Sequence, residues 1–76
     1  MEKVKVEGMS GYRTTVLWLM EQGCNPSAHS RGKLNRFHVN KYGNFWADAE
    51  TLSEACEEAV NNWIEAGMPK EGSSGQ

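Results

Sequence analysis

The residues able to do chemistry are few and scattered. The thiols and imidazoles are Cys24, His29, His38 and Cys56. A structural zinc site needs four converging ligands, usually in closely spaced pairs. The chain has no C-x-x-C and no H-x3–5-H pair, and His29 and His38 fall on different segments. A nucleophilic cysteine needs an imidazole or cation beside it to hold the thiolate. Cys24 with His29 or His38 is the one conceivable dyad, but no glycine-framed nucleophile turn surrounds Cys24. Glu54, Glu57 and Glu58 are close enough to act as paired carboxylates. Their spacing puts them on the polar side of a helix, where a carboxylate is solvated and keeps an ordinary pKa. No G-x-x-x-x-G-K phosphate loop occurs. The sequence therefore predicts a non-enzymatic protein without a metal or cofactor.

Charge is the more informative property. The net charge is only −2, but its signs are segregated. Between positions 31 and 41 the charged residues are Arg31, Lys33, Arg36 and Lys41, all basic. Between 42 and 66 they are Asp48, Glu50, Glu54, Glu57, Glu58 and Glu65, all acidic. Such a dipole can steer a partner of opposite charge. Two binding surfaces follow. The acidic one comprises Glu54, Glu57, Glu58 and Glu65, with Trp18 or Trp46 as an aromatic anchor, and suits a protein partner with a basic, nucleic-acid-binding surface. The alternative is a nucleic-acid platform of Arg31, Lys33, Arg36 and Lys41, interleaved with Phe37, His38 and Tyr42. Overall acidity ranks nucleic acid below protein as the partner.

The elements that position these residues can be read in outline. Residues 51–67 carry Leu52, Ala55, Cys56, Ala59, Val60, Trp63 and Ile64 at helical spacing. Thr51 and Glu54 form a capping box; Gly67 and Pro69 supply the stop, with Met68 placed for a Schellman contact on Trp63. A second helix is expected over residues 11–22, capped by Ser10, with Tyr12, Val16, Leu19 and Met20 as its stripe and Leu17 and Trp18 widening it. Residues 3–7, KVKVE, alternate as a short strand should. Residues 24–32 read as a loop, with Cys24 in a polar setting. Residues 33–42 and 45–47 read as a β-hairpin about Gly43-Asn44, which leaves one of Phe45 and Trp46 on an open face. The predicted fold class is α+β in the order β-α-β-β-α, with two amphipathic helices packed on one face of a small antiparallel sheet. It occupies residues 1–69 as a single domain, with 70–76 as a disordered tail.

A domain of 76 residues buries only about 60–65% of its unfolded surface, so a homodimer would relieve its marginal stability. No secretory leader is visible at the N-terminus, and the longest apolar run, 16–20, is too short for a bilayer. The expectation is a cytoplasmic protein with two free thiols and no membrane association.

The hairpin 37–47 followed by Thr51-Leu52-Ser53-Glu54-Ala55 resembles two families. One is the bacteriophage ABA-sandwich group, in which a helix, a hairpin and a second helix follow in that order. The other is the hairpin-helix part of HicB-type antitoxins, which share the T-L-x-E-A helix. This chain departs from HicB in its Gly-Asn turn and in the helix before the hairpin. The resemblance spans residues 12–66. The phage likeness implies an accessory protein made in an infected bacterium. Such proteins often inhibit host defence, as anti-CRISPR proteins do. The HicB likeness implies a toxin-binding antitoxin.

Overall fold

The C-terminal apolar stripe is the centre of the core. In the computed structural model, which describes residues 3–41 and 43–69, five elements follow one another. They are α1 (Gly8–Glu21), β1 (Ser27–Arg31), β2 (Leu34–Val39), β3 (Phe45–Ala49) and α2 (Leu52–Glu65). Ala55, Cys56, Ala59, Val60 and Trp63 of α2 are wholly buried. The Thr51 hydroxyl accepts the Glu54 N–H at 3.2 Å. The Glu54 carboxylate makes no return bond and stays exposed, so only half of the capping box forms.

Both helices end in the same way. Gly67 takes a φ of +98°, the Met68 N–H reaches the Trp63 carbonyl, and the Gly67 N–H reaches that of Ile64. At the end of α1, Gly23 has a φ of +87°, and the N–H groups of Cys24 and Gly23 bond to Leu19 and Met20. These are two Schellman motifs, each with an apolar residue folded back after the glycine. The second one corrects the expectation for Cys24. It sits in no polar loop but is buried, seated by the cap against the core.

The class is α+β as expected, with both helices and one small antiparallel sheet, but the order is α-β-β-β-α. Residues 3–7 pair with no strand among the described residues. They run instead along α2, where the Asn61 amide does a strand's work. Its Oδ1 accepts the Val4 N–H at 2.8 Å, and its Nδ2 donates to the Val4 carbonyl at 3.1 Å. The Val6 N–H donates to Glu57 Oε1 at 2.8 Å, and Val6 is buried. The alternation was real, but its backbone partners are helix side chains.

The missing strand is replaced by β1, inside the segment expected to be a loop. Its side chains are almost all exposed and carry no apolar alternation. Its signal is the two-residue turn Gly32-Lys33. Gly32, at φ +64°, holds the first central position, where the two-residue hairpin turns need a positive φ. The strands lie in the order β1-β2-β3, all antiparallel. Phe37, Val39 and Ala47 face the helices and are buried. Tyr12 meets Phe37 edge-on at 5.8 Å, and Trp18 meets Trp63 at 5.6 Å.

Helix α1 starts at Gly8, before the expected Ser10 cap, and has no side-chain cap. Its buried residues are Thr15 and Leu19. Met20, expected in the core stripe, is exposed together with Met9 and Leu17. The helix meets α2 through Trp18 against Trp63, and Thr15, outside the expected apolar stripe, is buried while Met20 is not. Among the described residues no helix is long and apolar enough to cross a membrane. The expected tail, 70–76, lies outside the described residues, as does Tyr42.

Candidate recognition surface

Directly opposed residues of an antiparallel sheet share a face. The register sets His29, Arg36 and Asp48 in one cross-strand row and Ser27, His38 and Trp46 in the next. Phe37 and Ala47 point to the helices, so these two rows look the other way. Both helices pack on the inner side, and among the described residues nothing covers the outer side.

A preassembled cluster stands at its centre. Arg36 grips Asp48 with a fork: Nε donates to Oδ1 at 2.8 Å and an Nη to Oδ2 at 3.1 Å. The same guanidinium lies 4.1 Å from the centroid of Trp46. Trp46 is 51% exposed, whereas the Arg36 and Asp48 side chains are only 27% and 26% exposed. The bidentate hydrogen bond holds the Asp48 carboxyl below its ordinary pKa, with a further contribution from Arg31, and raises that of Arg36. Both charges are therefore fixed at neutral pH. His38 Nε2 shares a hydrogen bond of 3.0 Å with Asn44 Oδ1, bracing the edge beside Trp46.

Asp48 is too weak a base for proton abstraction. Burial raises the Cys24 thiol, and it pushes Cys56 up to about 12, so neither is a nucleophile at neutral pH. Among the described residues no three His, Cys, Asp or Glu side chains converge as metal ligands.

The structure separates residues that the sequence grouped. Arg31 and Arg36 share the open face, and Lys33 is exposed in the adjoining turn. Lys41 does not join them. Its carbonyl accepts the Trp63 indole N–H at 3.2 Å, and its ammonium lies against Gly23 at the end of α1. On α2, Glu54 and Glu58 are exposed beside a shallow groove shared with Lys3, Asn62 and Glu65. Glu65 pairs with Lys3 at 3.1 Å, and Glu57 is tied to the N-terminal segment through Val6. Trp18 is half-buried against Trp63. Of the two aromatic anchors Trp46 is the more exposed, and it lies across the sheet from the acidic helix. Sequence reasoning missed the Arg36–Asp48–Trp46 cluster. Arg36 and Asp48 were assigned to opposite charge blocks, and only the β2–β3 register brings them together.

No protein-family model matches this chain, and no match was found among curated proteins or solved structures.

Proposed function

We propose that this is a non-enzymatic protein-binding module whose recognition surface is the open sheet face, anchored on Trp46. The supporting observation is the Arg36 guanidinium, pinned by Asp48 over a half-exposed tryptophan. Tryptophan and arginine dominate binding hot spots, and a side chain ordered before binding loses less entropy in the complex. Arg31 and His29 flank the cluster, so the partner offers an apolar pocket rimmed by carboxylates. Exposed Glu54 and Glu58, on the far side, suit a second, basic contact. By its likeness to phage ABA-sandwich proteins, we assign the module to the phage-encoded inhibitors of host defence complexes, anti-CRISPR proteins included, acting in the bacterial cytoplasm. The likeness to HicB-type antitoxins points to the same class of activity, the masking of another protein.

Capture from bacterial lysate with three baits tests this reading: the wild-type chain, Trp46→Ala, and Glu54→Lys with Glu58→Lys. The partner should be retained by the wild type and lost with Trp46→Ala. Equal retention by a folded Trp46→Ala bait would overturn the assignment of the surface.

Single-stranded nucleic acid is the second reading, favoured by Arg31, Arg36, His29 and His38 on one open face. The Arg36 guanidinium already lies over the Trp46 ring and competes with a stacking base, which places this reading second. Its signature is an affinity that falls steeply with salt; no binding to any oligonucleotide at low salt would end it.

A further inference from the structure

Helix α1 carries a second surface that the sheet face does not use. Its core-facing residues are Thr15 and Leu19, flanked by Tyr12, Val16 and Trp18. Diametrically opposite lies Leu17, 61% exposed, with Met20 at 56% and Met9 at 60% beside it. These are the most exposed large apolar side chains among the described residues. Four residues before Leu17 is Arg13, and four residues after it is Glu21. Both are exposed, and neither has an ion pair or side-chain hydrogen bond among the described residues. The helix thus shows one ridge of i, i+4, i+8 residues: a cation, a leucine and an anion.

That ridge is complementary to itself. A twofold axis through Leu17, set between antiparallel helices, brings Leu17 against its own copy. The same operation sets Arg13 opposite Glu21 of the second chain, and Glu21 opposite Arg13. Two i, i+4 ridges lie parallel when helices cross at about −50°, the commonest packing class. In a twofold interface each residue must suit the one it meets and the reverse. A cation and an anion equally spaced about a central leucine satisfy this.

We infer that α1 is the interface of a symmetric, antiparallel homodimer with Leu17 on the axis and reciprocal Arg13–Glu21 pairs. Helices crossing at this angle touch over little more than two turns. The area falls well short of the roughly 800 Å² per partner of a standard stable interface. The dimer is therefore weak, forms at micromolar to millimolar chain concentrations, and leaves the sheet face of each copy free.

Sedimentation equilibrium of the purified full chain between about 10 μM and 1 mM tests it. The wild type should shift from monomer to dimer across this range. Leu17→Glu, which sets two carboxylates against each other on the axis, should stay monomeric. Arg13→Glu or Glu21→Arg alone should raise the dissociation constant about tenfold, since each turns two attractive pairs into repulsive ones. The double variant Arg13→Glu with Glu21→Arg should return to within about threefold of wild type, a rescue that loss of folding cannot mimic. A wild-type chain that remains monomeric throughout overturns the inference. So does a double variant no tighter than either single one, with all variants folded by circular dichroism.

Discussion

Asn61 on α2 holds the N-terminal segment with both ends of its amide, and replacing it should release residues 3–7. Asn61→Ala removes the bonds to the Val4 N–H at 2.8 Å and the Val4 carbonyl at 3.1 Å. A net contribution of about 0.5–1.5 kcal/mol each gives a loss of about 1–3 kcal/mol. If the segment also frays as far as Val6, up to about 1.5 kcal/mol of apolar burial is added. For a domain of this size the midpoint of thermal unfolding should fall by about 4–8 °C for each kcal/mol lost. Asn61→Asp is the sharper probe. Its carboxylate can still accept from Val4 N–H, but it has no donor for the Val4 carbonyl and repels it. It should be at least as destabilised as Asn61→Ala at neutral pH, and should recover part of the loss once the carboxyl is protonated in acid. Calorimetry gives the midpoints, and native-state hydrogen exchange reads the Val4 and Val6 amides, which should lose protection ahead of α2. If Asn61→Ala changes stability by less than about 0.5 kcal/mol and the Val4 amide keeps its protection, the side-chain bridge holds nothing in place.

The core makes three further demands. Burial pushes the Cys56 thiol from an ordinary value of 9 up to about 12, so the folded state keeps a proton that the unfolded chain loses. Its contribution is complete below pH 9 and is lost as pH rises towards 12, at about 1.4 kcal/mol per unit. Urea midpoints measured along that range should fall accordingly, and Cys56→Ala should flatten the slope by one proton. Trp63→Ala removes the largest buried side chain, its bond to the Lys41 carbonyl and its contact with Trp18. The loss of about 3–5 kcal/mol approaches the whole stability of a small domain, so the variant should be largely unfolded by circular dichroism at 37 °C. Gly23→Ala forces a side chain into a φ of +87° and onto the Lys41 ammonium. It should cost about 1–2 kcal/mol in a urea titration, while Gly11→Ala, whose new Cβ would find ordinary contacts, should cost less.

Much of this fold is legible from residue spacing. The α2 stripe and both terminating glycines are local signals that no tertiary contact contradicts. What failed did so for want of tertiary information. Alternation at Val4 and Val6 reports one buried side and is silent on what supplies the hydrogen bonds. An asparagine and a glutamate on a helix took the place of a strand. In β1 the reverse holds: an exposed edge strand needs no apolar period, and its only mark was the Gly32 turn. Cys24 could have been placed by the logic that placed Met68, since each follows a helix-ending glycine and folds back. The acidic helix was legible as a charge pattern, but not the engagement of Glu57 and Glu65, which depends on where residues 3–6 run. Trp46 was legible as one of two aromatics pointing to opposite faces. That Arg36 and Asp48 would hold it ready follows from the strand register alone.

The central claim is that recognition is centred on Trp46. The direct measurement is the affinity of the captured partner for the wild-type chain and for Trp46→Ala, side by side in a calorimetric titration. Loss of a hot-spot tryptophan of about 2 kcal/mol or more predicts a dissociation constant at least about thirtyfold weaker, with the variant's thermal midpoint little changed. An affinity for folded Trp46→Ala within about twofold of wild type would contradict the account and move the site elsewhere on the molecule.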